Sequence, residues 1–139
     1  MNLTSHLYLT KIFLPLIEKE ENDKSIVLIS SINALKGYGA PAYSSSKAGL
    51  YGFVKSMTSE LGETGIRINA VSPGTVPTPR TLAQHDIFEE FKKTMPLHDF
   101  ASVDDVADVV FSITNITKKV TGQNIVIDAG QIVSTKTGK

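Results

Sequence analysis

Two short apolar segments separated by a long helical pattern constrain the fold of this chain more than any other feature. The first, Ser25–Ser30, is rich in β-branched residues and lacks polar alternation, which is typical of a strand covered on both faces in a parallel sheet. Ile66–Val71 is a second strand candidate, and helix formers fill residues 41–61 between them. A strand, a helix and a strand in this order predict a right-handed parallel crossover.

The flanking segments extend this α/β order. Residues 3–17 carry apolar side chains at three- and four-residue spacings, which predicts an amphipathic helix. Ser102 opens a capping-box-like sequence with Asp105 at its fourth position, so a further helix is expected to run to about Thr114. Residues 123–128 form the last strand candidate. We therefore expect an α/β fold with a partial doubly wound parallel sheet of about three strands and flanking helices.

Composition excludes several classes of function. The 139 residues include 14 basic and 14 acidic side chains, so nothing in the net charge favours nucleic acid as a partner. The absence of cysteine removes thiolate metal sites and Cys nucleophiles, and three scattered histidines make a metal site improbable. No apolar run approaches the roughly 18 residues of a membrane span, and no signal segment opens the chain. We predict a cytoplasmic protein with no membrane partner.

Tyr43 and Lys47 are the first candidates for chemistry. Residues four apart share one helix face, and a nearby ammonium stabilises a phenolate, so this pair could exchange a proton near neutral pH. Tyr51 and Lys55 repeat the spacing, and either pair alone fits an exposed helix face. Ser31 follows the first strand, however, and ligands in open α/β sheets bind at the carboxyl ends of strands. Position therefore favours the Tyr43 pair, and Tyr51 is interpreted as packing or interface.

These segments together resemble the short-chain dehydrogenase/reductase family, whose fold is Rossmann-like. The resemblance spans almost the whole chain, and its motifs are Met1-Asn2-Leu3, Ile29-Ser30-Ser31, Ala42-Tyr43-Ser44-Ser45-Ser46-Lys47-Ala48-Gly49-Leu50, Ile66-Arg67-Ile68-Asn69-Ala70-Val71-Ser72-Pro73-Gly74 and Val120-Thr121-Gly122-Gln123-Asn124-Ile125-Val126-Ile127-Asp128.

The resemblance implies a role for each matching residue. Tyr43 is similar to the family's proton donor or acceptor at the substrate oxygen, and Ser31 to the hydroxyl that polarises the carbonyl, with Ser30 as a neighbour one position away. Lys47 is similar to the lysine that binds the nicotinamide ribose and favours the ionised tyrosine. Asn2 matches a position that supports a water-linked proton relay to that lysine. Each of these residues also has a purely structural interpretation, such as a helix start or a strand-end turn.

The segment after the second strand is similar to the loop that lines the nicotinamide. By the resemblance, Pro73 and Gly74 shape this loop, while the Val76 backbone and the Thr78 hydroxyl contact the carboxamide. The implied cofactor is NAD or NADP, and the sequence does not choose between them. Residues 79–101 are placed like a lid over the substrate. Asn69 is expected to be structural, bonding backbone between a strand and a loop.

The sequence also departs from the family pattern. No Gly-x-x-x-Gly-x-Gly occurs, although such a turn lets the backbone approach the cofactor pyrophosphate. The chain therefore resembles the carboxyl-terminal catalytic half of the fold, and we expect one truncated domain over residues 1–132 with a flexible tail over 133–139. Ala129 stands where the family usually has Gly, and His98-Asp99 stands where Gly-Arg is common.

Two functions from different classes follow from these expectations. The first is an NAD(P)-dependent oxidoreductase that transfers hydride to or from small alcohol or carbonyl substrates, with Tyr43 as general acid or base. The second is a non-enzymatic truncated relative that self-associates as a homo-oligomer through helices 3–17 and 41–61. A third alternative is that the chain complements a separately encoded amino-terminal half. Its site residues would be the same as those of the oxidoreductase.

Overall fold

A computed structural model describes residues 2–37, 39–79 and 85–134 of the chain. Its regular elements are, in order, α1 Thr4–Ile17, β1 Lys24–Ile29, α2 Asn33–Lys36, α3 Pro41–Glu63, β2 Ile66–Pro73, α4 His85–Thr94, α5 Val103–Phe111, a π-helical turn Ser112–Ile116, β3 Asn124–Ile127 and a 3-10 turn Gln131–Val133.

The strands form one parallel sheet in the order β1-β2-β3, which confirms the predicted α/β class and strand number. Ile26 of β1 aligns with Ile68 of β2, and Val71 of β2 aligns with Ile125 of β3. Because β2 is central, every residue from Ile66 to Ser72 is buried, whereas β1 and β3 remain largely half-buried. Parallel strands run to the same edge of a sheet, so their carboxyl ends meet.

Alternate side chains of β2 supply the two faces of the sheet. Ile66, Ile68 and Ala70 join Leu28 and three residues of α3 in the main apolar cluster, against which Leu14 and Ile17 of α1 also pack. Helices α1 and α3 therefore cover one face. The three α3 residues are Leu50, Val54 and Leu61, and each is almost completely buried.

Arg67 and Asn69 project to the other face, where they hold backbone rather than apolar side chains. The Arg67 guanidinium donates to the carbonyls of Ile113 and Thr114 in the π-helical turn, at 2.7 and 3.0 Å. The Asn69 amide donates to the Val120 carbonyl at 2.9 Å and accepts the Gln123 N–H at 3.0 Å. These bonds confirm the structural role predicted for Asn69. They attach the chain between α5 and β3 to the central strand.

Helix boundaries follow local signals with two differences. The capping box is confirmed, because the Ser102 hydroxyl accepts the Asp105 N–H and the Asp105 carboxylate accepts the Ser102 N–H. The long helix α3 continues to Glu63, two residues beyond the predicted range 41–61, and the chain turns at Gly65, with φ +73°. The short helix α2 has no counterpart among the elements predicted from the sequence.

The predicted lid and tail are described only in part. Residues 80–84 of the lid segment and 135–139 of the tail lie outside the described residues. Within the tail, Val133 ends a 3-10 turn and the Ser134 hydroxyl donates to the Thr94 carbonyl at 2.7 Å. No helix in the described ranges is long and apolar enough to cross a bilayer.

Candidate active site

A cavity of about 470 Å³ opens at the carboxyl ends of β1 and β2, where the topology predicts a ligand site. Its volume lies in the range of small-molecule sites. Hydroxyl and backbone groups line one side and apolar side chains the other; the residues are Ser31, Ile32, Asn33, Tyr43, Gly74, Thr75, Val76, Phe88, Phe91 and Gln131.

Ser31, and not Ser30, presents its hydroxyl to this cavity. Ser30 is buried and donates its hydroxyl to the Lys47 carbonyl at 2.9 Å, so it anchors α3 to the end of β1. Ser31 lines the cavity and accepts the Asn33 N–H at 3.2 Å. No described residue accepts the Ser31 O–H hydrogen, which leaves it able to donate to an oxygen atom in the cavity.

Tyr43 stands at the start of α3, where Pro41 occupies the first turn without loss of a helical hydrogen bond. The Lys47 ammonium lies 5.8 Å from the centre of the Tyr43 ring, one helical turn away. The same ammonium donates to the Ile29 carbonyl at 2.7 Å, and partial burial lowers the pKa of Lys47. Two of its three N–H donors have no acceptor among the described residues.

The segment after β2 forms the opposite wall. Pro73 is the last residue of β2, and Gly74, Thr75 and Val76 line the cavity. A methyl group at Gly74 would lie 2.6 Å from the Asp128 Cβ, so this position requires glycine because two backbone segments approach closely. Thr78 is exposed and lies outside the cavity lining.

Helix α4 contributes the apolar side of the cavity through Phe88 and Phe91. The Phe100 ring supports both, with ring centroids 5.7 Å from Phe88 and 6.1 Å from Phe91. Aromatic pairs at these separations are favourable. The described part of the predicted lid segment therefore does reach the cavity.

Asn2 is exposed in the turn before α1 and makes no hydrogen bond with Lys47. Its neighbour Leu3 packs closely on Gly49 of α3, where a Cβ would lie 2.7 Å from a Leu3 methyl group. The start of α1 is thus fixed against α3 two residues beyond Lys47. The proton relay through Asn2 stays a prediction.

Sequence reasoning missed several cavity residues. Gln131 accepts the Thr75 N–H at 2.8 Å through Oε1 although the two residues are 56 positions apart. No local pattern signals such a contact. Phe88 and Phe91 have a weak signal, because residues three apart share a helix face within the predicted lid.

Comparison with known proteins places these observations in a family. A family described as enoyl-(acyl carrier protein) reductase matches residues 1–131. The 3-oxoacyl-(acyl-carrier-protein) reductase of Aquifex aeolicus is 35% identical over 133 residues, covering 94% of this chain and 53% of the relative.

Solved structures agree. An oxidoreductase of the short-chain dehydrogenase/reductase family from Burkholderia thailandensis superposes with a TM-score of 0.86 and 36% identity, covering 95% of this chain and 53% of that one. A 3-oxoacyl-(acyl-carrier protein) reductase with bound NAD from Brucella melitensis superposes with a TM-score of 0.80 and 31% identity. The match covers 93% of this chain and 48% of that one. The chain spans about half the length of the curated relatives that it matches. On the sequence match, the shared fold and these relatives, the chain belongs to the short-chain dehydrogenase/reductase family.

Proposed function

We propose that this chain carries the catalytic site of an NAD(P)-dependent oxidoreductase acting on small alcohol or carbonyl compounds. One observation carries the proposal: Ser31 and Tyr43 line the same cavity, and the Lys47 ammonium lies 5.8 Å from the centre of the Tyr43 ring. The relatives named as reductases support this activity. The cytoplasmic location stays a prediction.

The donor set around the cavity fits a nicotinamide riboside. Lys47 has two N–H donors left for ribose hydroxyls, because Ile29 takes one. Val76 lines the cavity and would offer its backbone to the carboxamide, because the Gly74 and Thr75 N–H groups already donate to the Ile127 carbonyl and to Gln131 Oε1. A contact from Thr78, which lies outside the cavity lining, stays a prediction. NAD bound to a related reductase supports this class of cofactor, with the choice between NAD and NADP left open.

The chain's own side chains would bind the reacting oxygen and supply its proton. When bound, a reduced nicotinamide supplies the hydride that a carbonyl carbon accepts. The Ser31 O–H donates to the carbonyl oxygen and polarises the C=O bond. Tyr43 transfers its phenolic proton to that oxygen as negative charge develops, and the adjacent Lys47 cation stabilises the phenolate left behind. Oxidation of an alcohol reverses these steps.

Replacing Tyr43 tests this assignment. With NADH and ethyl acetoacetate, Tyr43→Phe should lower kcat by about a hundredfold or more, because general acid–base groups contribute at least this much. Tyr51→Phe is the matched control, since Tyr51 has the same spacing to Lys55 and lies 5.3 Å from its ammonium, outside the cavity. Equal kcat in Tyr43→Phe and the unmodified chain would contradict the proposal.

A second candidate function, self-association, is favoured by the surface of α1. Tyr8, Ile12 and Leu16 are 62%, 63% and 57% exposed, and Leu9 and Phe13 are exposed beside them. Exposed apolar patches of this kind mark interaction sites. We propose that helices 3–17 and 41–61 form a homo-oligomer contact, which a non-enzymatic relative would also use.

Light scattering distinguishes the outcomes for this surface. The molar mass of the unmodified chain should be that of a dimer or a larger species, and Ile12→Glu should shift the molar mass toward that of the monomer. Lys11→Glu, on the same helix, is the control for charge alone. A monodisperse monomer of the unmodified chain counts against the proposed contact.

A further inference from the structure

Gln131 occupies a fixed position at the floor of the cavity. The residue is 9% exposed and lines the cavity together with Thr75 and the α4 aromatic residues. The backbone that carries it is held by the Asp128 carboxylate, which accepts the N–H groups of Gly130 and Ile132 at 2.9 and 2.7 Å. The Gln131 side chain therefore starts from a rigid turn.

The orientation of the Gln131 amide is set by its partner. The Thr75 N–H can only donate, so the oxygen Oε1 must face it, at 2.8 Å. The nitrogen Nε2 then lies on the other side of the amide and carries two N–H donors. No described residue accepts a hydrogen bond from it. Among the described residues only the Ser25 hydroxyl is a fully buried side-chain polar group without a partner, so the Gln131 nitrogen is accessible from the cavity and can donate to an acceptor that a ligand supplies.

The chemistry around the cavity indicates what that acceptor is. Ser31 and Tyr43 are the groups that bind the reacting oxygen in the proposed function, and Phe88 and Phe91 offer only apolar surface. A substrate held between them has its reacting oxygen satisfied already. The Nε2 donors of Gln131 are then free for a second oxygen of the same molecule.

We propose that Gln131 is a specificity-determining residue. Its Nε2 donates to a second acceptor oxygen of the substrate, such as the other carbonyl of a dicarbonyl compound, while its Oε1 positions the Thr75 backbone. The assignment rests on the proposed function for the role of Ser31 and Tyr43. A site built to bind a substrate oxygen discriminates against the analogue that lacks this oxygen, because the donor is then left facing an apolar group.

The test uses the ¹⁵N-labelled 139-residue chain and a matched pair of ketones. Ethyl acetoacetate has two carbonyl groups, whereas 2-heptanone has one in a chain of the same length. Gln131→Glu keeps the acceptor for Thr75 but loses the NH₂ group, and Gln131→Met loses both. Gln123→Met is the control, because the Gln123 side chain is exposed and, among the described residues, donates only to the Thr121 carbonyl.

The expected results separate the two roles of the side chain. Amide exchange at Thr75 should rise about tenfold in Gln131→Met, but not in Gln131→Glu or Gln123→Met. Ethyl acetoacetate should shift the Gln131 side-chain NH₂ signals saturably, and its Kd should rise about tenfold in both Gln131 variants. The affinity for 2-heptanone should be the same in all four proteins.

Several results would overturn the assignment. Without the Nε2 donor the second carbonyl of ethyl acetoacetate has no partner in the site. Equal affinity of Gln131→Glu and the unmodified chain for ethyl acetoacetate therefore refutes the assignment. So does the absence of a saturable NH₂ shift, or unchanged Thr75 exchange in Gln131→Met. NADH binding measured in the same samples tests the proposed function separately. If the unmodified chain does not bind NADH but its Gln131 NH₂ signals still shift with ethyl acetoacetate, the proposed function is rejected and the assignment of Gln131 is not.

Discussion

Ser30 and Ser31 differ by one position, yet only contacts across the fold separate their roles. Ser30 is committed to the Lys47 carbonyl and Ser31 faces the cavity. The spacing of Tyr43 and Lys47 could be predicted, because a helix fixes it locally. The contact of Gln131 with Thr75 could not, because it depends on how the end of β3 meets the end of β2.

At the residue scale, Asp23 should make stability depend on pH. Its carboxylate accepts from Arg67 and Lys118, at 2.8 and 2.9 Å, and these bonds lower the pKa of Asp23 from 3.8 to about 2. A lowered native pKa stabilises the fold fully above the unfolded value and loses that effect as pH falls toward 2. Asp23→Asn should therefore lower the urea midpoint of unfolding at pH 7. The difference in midpoint between this variant and the unmodified chain should narrow as the pH falls below 4.

Glu21→Gln is the control for this measurement, since Glu21 is an exposed acid in the same connection between α1 and β1. Its urea midpoint should follow that of the unmodified chain at each pH. A difference in urea midpoint between Asp23→Asn and the unmodified chain that stays constant down to pH 2 would contradict the role of the ion pairs.

Ala129 illustrates a departure from the family pattern that the backbone explains. Its φ is +53°, a left-handed conformation that glycine adopts without the clash of a Cβ atom. Ala129→Gly should raise the free energy of unfolding by about 1 kcal/mol. Ala107→Gly, inside α5, should lower it by about 1 kcal/mol. Urea denaturation checks both, and a destabilised Ala129→Gly would be inconsistent with this strain.

At the element scale, helices with strong local signals were predictable and short ones were not. Ser102 and Asp105 form the capping box expected from four consecutive residues. Helix α2 has four residues, and it forms where Lys36 donates to the distant Ile132 carbonyl at 2.9 Å. A helix this short gains its stability from such tertiary contacts, which no local sequence pattern records.

The capping box gives an element-scale prediction. Ser102→Ala removes the acceptor for the Asp105 N–H and should cost about 1 kcal/mol of unfolding free energy. Ser59→Ala, at an exposed interior position of α3, should change stability little or raise it slightly. Chemical denaturation of both variants measures the difference. Equal stability of Ser102→Ala and the unmodified chain would show that the cap does not stabilise α5.

At the scale of the whole molecule, the number of strands, their parallel direction and the position of the cavity could be predicted from sequence, because parallel crossovers bring the carboxyl ends of strands together. The apolar wall from α4 could not be placed, since its aromatic residues meet the site only through tertiary packing around Phe100. The chain spans about half of each relative described above. The central claim is therefore that a nicotinamide pocket is built from the residues of this chain.

Titration of the purified chain with NADH and NADPH, followed by nucleotide fluorescence, tests that claim most directly. We predict saturable binding of one or both nucleotides, with affinity at least about tenfold weaker in Lys47→Ala because two ammonium donors are lost. Lys55→Ala should bind as the unmodified chain does, since Lys55 lies against Tyr51 outside the cavity. No binding, or binding that Lys47→Ala leaves unchanged, would contradict the claim.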